Sequence, residues 1–199
     1  MSETEQRGNA WKYRHRPPQN GKAKPQNNRM LKKEAQFTFD ELYCSPLREE
    51  RCYEVVGGGS EEPRTKMKYV SRKLPEVRST GIRVMDEYVN SLAAGQFDVS
   101  VFCKEWGLRR TDIDSLVFML TGMRGIDFRQ RYQLQVMNEL LRYTTLTPAE
   151  VARRSGIGTV NNLYLITKRE YGEAPVEHRK NIREPGDEGR YRTGDSTKE

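Results

Sequence analysis

The stretch that decides the fold is LLRYTTLTPAEVARRSGIG, residues 140–158, and KREYGEAPVEHRK follows at residues 168–180. Thr147 and Glu150 have the spacing of a capping box, in which each side chain accepts a hydrogen bond from the backbone N–H of the other. Pro148 occupies the first helical position, where its missing N–H costs nothing. This is the clearest helix start in the chain.

Glycines and a further proline mark the elements that come after this start. Gly156 predicts the end of the first helix, and a second helix is predicted from Thr159 to Tyr171, closed by Gly172. A last helix is predicted to start near Pro175. The region therefore contains a short helix, a turn, a longer helix and a further helix.

Helical spacing continues upstream. The first segment carries four apolar residues on one predicted face: Ile82, Met85, Val89 and Leu92. Asp98 is placed to cap a second helix that Gly107 ends, and Thr111 starts a third. A longer helix is predicted from about Asp127 to Tyr143, and strand-like alternation is absent from residues 79–183.

Two parts of this pattern share one layout. In residues 98–121 and again in residues 147–171, a short helix ends at a glycine, a turn follows, and a second helix begins at a threonine. This layout is typical of a helix-turn-helix unit, whose first helix crosses the DNA backbone while the second enters the major groove. A bundle of six or seven helices with glycine C-caps and no nucleic-acid role fits the same spacing.

The 199 residues carry too few apolar side chains to pack along their whole length. Hydrophobic residues make up 35% of the chain, and exchanging Tyr for Gly in that count leaves it below the ~45–50% of typical globular domains. They make up roughly 29% of residues 1–78, 43% of residues 79–183 and 6% of residues 184–199. We therefore expect an all-α domain of six to seven helices at 79–183. The flanks are expected to be largely disordered, with short helical or aromatic segments in 1–78 and a disordered tail at 184–199.

The formal charge of +7 is unevenly distributed. Residues 1–36 carry +6, residues 37–63 carry −5 and residues 64–83 carry +6, so the rest of the chain is close to neutral. The two basic stretches predict flexible arms that attract phosphate, with solvated charge and no partner as the alternative. Gly57-Gly58-Gly59-Ser60 predicts a flexible linker between them.

The composition argues against a membrane span, secretion, a metal site and catalysis. The chain has no run of about 18 apolar residues and no apolar signal segment at its start, so a cytoplasmic protein is expected. Its three cysteines are interpreted as reduced thiols. The two histidines, His15 and His178, lack zinc-site spacing and belong to no recognisable catalytic grouping. No cofactor, metal or catalytic residue is predicted, and an enzyme is not expected.

Residues 80–183 resemble the C-terminal DNA-binding domain of AraC/XylS-type transcription regulators. The positions of the quoted stretch that fall in the family register are Leu140, Leu141, Thr147, Glu150, Val151, Ala152, Gly156, Lys168, Arg169, Gly172, Pro175 and Arg179. Fewer positions match upstream: Gly107, Leu108, Leu116, Thr121, Gly122, Phe128 and Leu134. The resemblance implies two helix-turn-helix units joined by a long helix. It also implies sequence-specific duplex DNA binding and transcription regulation, with two recognition helices in successive segments of the major groove.

The chain departs from the family where the recognition helices would read bases. Ser115 and Leu165 stand where the family usually presents an arginine, the residue best suited to guanine. Asp112 and Asp114 place carboxylates near the expected phosphates, and Phe118 and Met119 replace residues that are normally charged. These departures support a second interpretation, a protein-interaction or regulatory module that has lost base reading and binds a protein through Phe118, Met119 and Leu165.

The resemblance and the residue types together give the DNA-binding candidates: Arg109, Arg110, Thr111, Asp112, Ser115, Thr159, Asn161, Asn162, Tyr164, Lys168 and Arg169. Arg109 and Arg110 sit at a helix N-terminus, where guanidinium and helix dipole act together on phosphate. One of Asn161 and Asn162 is able to make a bidentate contact with adenine, and ordinary N-terminal capping is the alternative. Many family members carry an N-terminal ligand-sensing domain. Residues 1–78 have too few apolar residues for a β-barrel sensor, so no small-molecule inducer is predicted.

Two further expectations concern the surroundings of these helices. Arg179 and Lys180 suit backbone phosphates, like the two basic residues of the preceding helix. Residues 37–44, FTFDELYC, predict a short helix that folds onto a partner or packs against Phe118 and Met119.

Overall fold

The computed structural model of the chain describes residues 35–56 and 64–194. In chain order, the elements are α1 (Phe39–Leu42), β1 (Glu49–Val56), β2 (Arg64–Ser71), α2 (Arg83–Ala93), α3 (Val99–Trp106), α4 (Arg110–Thr121), α5 (Gly125–Tyr143), α6 (Pro148–Arg154), α7 (Val160–Tyr171), α8 (Pro175–Ile182) and β3 (Tyr191–Arg192). The described part of the chain is therefore rich in helix, as the sequence predicts, with a small sheet in addition.

Side-chain caps determine where several helices begin. The Thr147 hydroxyl accepts from the backbone N–H of Glu150, and the Glu150 carboxylate accepts from that of Thr147, so the predicted capping box forms. Asp98 accepts from a backbone N–H in the first turn of α3 at 2.8 Å. Helix α4 begins at Arg110, one residue before the predicted start, and α5 begins at Gly125, two residues before it.

Helix α5 lies at the centre of the core. Its fully buried side chains include Phe128, Tyr132, Met137, Leu140 and Leu141. Helices α4, α6 and α8 pack directly on it. It therefore joins the two halves of the domain, as the long linking helix was expected to do. Ile82, which was predicted on the buried face of α2, is 39% exposed because α2 begins only after it.

Residues 79–183 form seven helices and no strand, as predicted, but an all-α description of the described chain is wrong, because residues on both sides of that range form a three-stranded antiparallel sheet in the order β2–β1–β3. Strands β1 and β2 pair from Glu49 opposite Ser71 to Val56 opposite Arg64, and β3 pairs with the start of β1. The outer half of β1 and most of β2 are exposed. A hairpin with two solvated faces needs no alternation of apolar and polar residues, and the sequence of β1, Glu-Glu-Arg-Cys-Tyr-Glu-Val-Val, shows none. The predicted linker at 57–60 lies outside the described residues.

The prediction of a largely disordered N-terminal flank is also wrong for residues 35–48, which we call the N-terminal strap. Its apolar side chains belong to the core of the domain: Phe37, Phe39, Leu42 and Leu47 are buried. The Tyr132 hydroxyl of α5 donates a hydrogen bond to the backbone oxygen of Cys44 at 2.8 Å. The backbone N–H of Phe37 donates to the backbone oxygen of Leu120 at 3.1 Å. The strap is ordered because these few apolar side chains find a buried surface that composition alone does not reveal.

The short helix predicted within residues 37–44 forms as α1, and its contacts are internal. Phe39 packs edge-on against Phe128 of α5, with ring centroids 5.5 Å apart. Met119 is 66% exposed, so the strap leaves it uncovered. The expectation that this segment covers Met119 is therefore wrong.

The chain beyond α8 is ordered as far as residue 194, although the sequence predicts a disordered tail. Asp187 is buried and accepts from the Arg142 guanidinium at 2.7 Å. Tyr191 of β3 is buried edge-to-face against Tyr143, with ring centroids 5.1 Å apart. One core therefore includes residues on both sides of the predicted domain limits at 78/79 and 183/184. Residues 195–199 of the predicted tail, and 1–34 of the predicted basic arm, lie outside the described residues.

Features of other protein classes are missing from the described residues. No helix there is long and apolar enough to cross a membrane. Within the same ranges, no group of three or more His, Cys, Asp and Glu side chains is placed to hold a metal ion. Cys44, Cys52 and Cys103 are free thiols.

Candidate nucleic-acid interface

Two pairs of helices, α3 with α4 and α6 with α7, repeat one arrangement. Each pair joins a helix of seven or eight residues to one of twelve through a turn that contains a left-handed glycine. Gly107 has a φ of 63° and Gly156 a φ of 74°, a backbone conformation that a Cβ disfavours. The helix-turn-helix layout is therefore present in both halves of the domain.

At the start of α4, a predicted phosphate ligand pairs with a carboxylate of its own helix. The Arg109 guanidinium donates to both carboxylate oxygens of Asp112, at 3.0 and 3.3 Å, and the Arg109 backbone N–H donates to the same group at 3.0 Å. These hydrogen bonds from Arg109 hold the pKa of the Asp112 carboxyl below its ordinary value. Asp112 is therefore ionised near neutral pH and offsets the charge of Arg109. Arg110 is the exposed cation at this helix end with no carboxylate partner in the described ranges.

One exposed face of α4 carries Thr111, Ser115 and Met119, which follow one another at intervals of four residues. Residues at this spacing lie on the same side of a helix. This face therefore presents two hydroxyls and one thioether. Phe118, which was predicted to be exposed beside Met119, is half-buried and contributes less to it.

The two asparagines at the start of α7 have different surroundings. The Thr159 hydroxyl accepts from the backbone N–H of Asn162 at 3.2 Å and caps the helix. The Asn162 side chain donates to the backbone oxygen of Ile157 at 3.3 Å, so it is engaged in the turn. Asn161 is exposed, and its side-chain amide has no partner within the described ranges. Asn161 is therefore the asparagine whose amide is free to bind another molecule.

The exposed face of α7 continues from Asn161 through Tyr164 and Leu165 to Lys168. Tyr164 is 50% exposed and Leu165 is 70% exposed. Arg169 lies beside this row and pairs with the adjoining glutamate at 2.7 Å. The face therefore combines an amide, a phenol and an ammonium group with an apolar side chain.

A stacked pair of rings fixes the C-terminal end of α7. The ring of His178 in α8 stacks on that of Tyr171, with centroids 4.1 Å apart. The Tyr171 hydroxyl accepts from the side-chain amide of Asn138 at 2.7 Å, and the His178 ring nitrogens lie 2.7 Å from a Glu173 oxygen and 3.0 Å from the Asn138 oxygen. Helices α5, α7 and α8 are thus tied together at one point, where His178 is a buried packing residue.

Arg179 does not have the phosphate-binding surroundings expected from the sequence. Its side chain is half-buried, and the guanidinium donates to the backbone oxygen of Leu146. Burial lowers the pKa of the Arg179 guanidinium below its ordinary value. Arg179 therefore holds the chain ahead of α6, while Lys180 beside it is exposed.

A basic surface on the β1–β2 hairpin replaces one of the predicted flexible arms. Arg64, Lys66 and Lys68 lie on one face of β2, because alternate residues of a strand share a face. Lys68 pairs with Glu54 at 2.6 Å, whereas Arg64 and Lys66 are exposed and have no carboxylate partner within the described ranges. The sequence signal for this surface is the alternation of basic with other residues in Arg-Thr-Lys-Met-Lys, residues 64–68, which is the spacing of one face of a strand.

Comparisons with known proteins find one similar solved structure and no similar family or curated protein. No family model matches the chain, and it matches no curated protein. Among solved structures, it is similar to that of the xylose-binding transcription activator XylR, with 20% sequence identity and a TM-score of 0.41. The similarity covers 57% of this chain and 32% of the XylR chain, so this chain spans about a third of that protein.

Proposed function

We propose that the chain binds duplex DNA in a sequence-specific manner and regulates transcription, with α4 and α7 in successive segments of the major groove. The observation that carries the proposal is the repeated helix-turn-helix arrangement, in which the second helix of each pair presents an exposed row of polar side chains. The major groove admits an α-helix, and each base pair shows a distinct pattern of donors and acceptors there.

Side chains of α7 make most of the contacts with base edges. The free amide of Asn161 is able to donate to and accept from the edge of adenine in a bidentate contact, whereas the amide of the equally exposed Asn162 already donates to Ile157. Tyr164 and Leu165 offer apolar surface to thymine methyl groups. On α4, Thr111 and Ser115 contribute hydroxyls, which accept or donate and so discriminate less strongly among bases.

Other side chains contact phosphates or hold the helix ends in position. Arg110 and Lys168 supply positive charge to the backbone, and the N-termini of α4 and α7 add partial charge and free N–H groups. Arg109 and Asp112 form a unit that closes the first turn of α4. Thr159 and Asn162 close the first turn of α7. Arg169 lies in the last turn of the same helix.

Attraction that is independent of sequence comes from outside the two helix pairs. Residues 1–36 carry +6, and the exposed Arg64 and Lys66 of the hairpin add two charges to the domain surface. Phosphate contacts of this kind raise the affinity for every sequence alike and make it depend on salt.

Binding to DNA selected from a random duplex pool, measured by fluorescence anisotropy at several salt concentrations, tests the proposal. Each phosphate contact is expected to contribute about −0.9 to the slope of log K against log salt. A slope near zero, or equal affinity for a scrambled duplex, contradicts the proposal. The selection is best run with the full chain and with a chain lacking residues 1–34, since that deletion keeps every described residue.

A protein-interaction module is the second candidate function. It is favoured by the exposure of Met119 at 66% and Leu165 at 70%, because large apolar side chains at the surface often mark contacts with proteins. Under this alternative, Met119→Asp and Leu165→Asp abolish capture of a partner or self-association while DNA affinity is unaffected. Sedimentation velocity and the anisotropy measurement distinguish the two functions.

A further inference from the structure

The last turn of α7 packs against a buried histidine. His178 of α8 is 4% exposed and is the single histidine within residues 35–56 and 64–194. Its ring lies nearly parallel to that of Tyr171, the last residue of α7, with an interplanar angle of 21°. This stacking joins α8 to the helix that carries Asn161 and Lys168. A change in the charge or the hydrogen bonds of His178 therefore acts on the end of that helix.

Four side chains form one series of hydrogen bonds around this ring. The Nδ1 atom of His178 lies 2.7 Å from a carboxylate oxygen of Glu173, in the turn between α7 and α8. The Nε2 atom lies 3.0 Å from the side-chain oxygen of Asn138 in α5. The Asn138 amide nitrogen donates to the Tyr171 hydroxyl at 2.7 Å. The series therefore runs from Glu173 through His178 and Asn138 back to the end of α7.

The partners of the two ring nitrogens determine which of them carry protons. A carboxylate only accepts hydrogen bonds, so Nδ1 carries a proton that it donates to Glu173. The Asn138 amide nitrogen is turned toward Tyr171, so the Asn138 oxygen faces Nε2, and an amide oxygen also only accepts. Nε2 therefore carries a proton as well. The arrangement is that of an imidazolium ring paired with Glu173.

The same four side chains also satisfy one another when the ring is neutral. Loss of the Nε2 proton to water turns that atom into an acceptor. Rotation of the Asn138 amide by half a turn about its Cβ–Cγ bond then directs its nitrogen at Nε2 and its oxygen at Tyr171. The Tyr171 hydroxyl reverses its role and donates to that oxygen. Each of these donors and acceptors keeps a partner in both arrangements, so the core tolerates both protonation states.

The two arrangements differ in how firmly they hold α7. The charged ring attracts the Glu173 carboxylate and the face of the Tyr171 ring, whereas the neutral ring loses both attractions. Among the described residues, Glu173 is the charged group in contact with His178, and its other oxygen accepts from Asn181. The neighbouring ionisable side chains of α5, α7 and α8 bind elsewhere or are exposed: Glu139 with Ser45, Arg142 with Asp187, Arg169 with Glu170, Glu177 with the backbone of Ala174, Arg179 with the backbone of Leu146, and Lys168 and Lys180 in solvent.

We propose that Asn138, Tyr171 and His178 form a proton-dependent switch that positions α7. When the ring is protonated, the last turn of α7 is held by stacking on a cation. When the ring is neutral, the hydrogen bond between Asn138 and Tyr171 is reversed and that turn is held less firmly. The consequence for DNA rests on the proposed function, because α7 is the helix assigned there to most base contacts, whereas the switch itself does not.

Long-range proton–nitrogen NMR of the full chain, recorded without DNA from about pH 5 to 8, tests the switch. We expect the neutral ring of His178 to carry its proton on Nδ1, because Glu173 accepts from that atom, although histidine in water prefers the other tautomer. The side-chain amide signals of Asn138 are expected to shift in step with the titration of His178. His15→Gln removes the other histidine of the chain and so assigns the ring signals. A neutral ring protonated on Nε2, or Asn138 signals that stay fixed, overturns the proposal.

Fluorescence anisotropy with the selected duplex over the same pH range tests the effect on α7. As the pH rises, we expect the affinity of the wild-type chain to fall about fivefold further than that of His178→Gln, the effect of losing one cation–aromatic contact. Asn138→Asp places a group that only accepts at Nε2, so the ring keeps both protons and this variant is expected to retain the affinity of the protonated state. His15→Gln is the matched control and is expected to follow the wild-type chain.

The variants also define the results that overturn the effect on α7. One is an equal pH dependence in the wild-type chain and in His178→Gln. The other is an Asn138→Asp variant that loses affinity with rising pH as the wild-type chain does, a test that leaves the histidine in place. A chain that binds no duplex at any pH contradicts the proposed function, and the NMR result then decides whether the switch exists.

Discussion

The ring of Phe97 lies directly against the backbone of Gly156, so closely that a Cβ on Gly156 would lie 2.1 Å from its Cδ2 atom. Phe97 belongs to the loop between α2 and α3, and Gly156 to the turn between α6 and α7. Gln133 of α5 donates to the backbone oxygen of the same glycine at 2.9 Å. The two helix-turn-helix units are therefore joined by this contact as well as by α5.

Gly156→Ala is expected to lower the free energy of unfolding by about 3 kcal/mol. Part of the loss comes from placing a Cβ at a φ of 74°, and part from its overlap with the Phe97 ring. Gly158→Ala is the matched control, because Gly158 has a φ of 92° and no atom within 4 Å of the position that a Cβ would occupy. That variant is expected to lose about 1 kcal/mol. Urea denaturation followed by circular dichroism measures both, and equal losses would show that the Phe97 contact contributes nothing.

Glu139→Gln is expected to flatten the dependence of stability on pH. The Glu139 carboxylate accepts from the Ser45 hydroxyl of the strap, and burial raises the pKa of Glu139 above its ordinary value of 4.5. The folded chain therefore holds more protons than the unfolded chain between 4.5 and that raised pKa. Stability falls as pH rises through this window, and the full penalty is present above the raised pKa.

The glutamine amide introduced by Glu139→Gln keeps an acceptor for Ser45 but has no charge to bury, so the penalty disappears. Urea denaturation at pH values from about 4 to 8 measures the effect. Glu105→Gln, at an exposed position of α3, is the control and should keep the slope of the wild-type chain. An unchanged slope in Glu139→Gln would contradict the prediction.

The helices could be predicted from the sequence because their signals are local. The capping box of Thr147 and Glu150 and the glycine after each short helix lie within a few residues of the ends that they determine. The sheet could not be predicted in this way. Its third strand brings Tyr191 opposite Glu50, a pairing between residues far apart in the chain, and the hairpin has two solvated faces.

The candidate site was predictable to the level of its helices but not of its individual side chains. The positions of Asn161 and Asn162 could be read from the register, whereas the bond from Asn162 to Ile157 depends on the conformation of the turn. The burial of Arg179 likewise depends on the path of the chain before α6. Contacts of this kind are set by tertiary packing, which periodicity does not encode.

The double variant Arg64→Gln, Lys66→Gln tests the contribution of the hairpin to DNA binding. If each side chain contacts one phosphate, the slope of log K against log salt becomes less negative by about 1.8, and the preference for the selected sequence is unchanged. Lys104→Gln controls for the loss of surface charge away from the hairpin. An unchanged slope would show that the hairpin does not contact DNA.

Met119→Asp and Leu165→Asp test whether the exposed apolar side chains of α4 and α7 contact a protein. Both side chains are well exposed, so neither variant is expected to change the free energy of unfolding by more than about 0.5 kcal/mol. Phe118→Asp is a poorer probe, because Phe118 is half-buried and a carboxylate there would disturb folding. If the chain self-associates through either side chain, sedimentation velocity will show the corresponding variant as a monomer. Dimers that persist in both variants would place the interface elsewhere.

Asn161→Ala and Asn162→Ala separate base reading from helix capping. Asn161 has a free amide, so its loss is expected to weaken binding to the selected duplex by about 1–3 kcal/mol and to relax the preference for adenine at one position. The unfolding free energy of that variant should stay within about 0.5 kcal/mol of wild type. Asn162→Ala removes the bond to Ile157 and is expected to cost about 1 kcal/mol of stability without changing which base is preferred. Anisotropy with the four single-base variants of the selected site measures the preference, and urea denaturation measures the stability. Loss of the adenine preference in Asn162→Ala alone would reverse the two assignments.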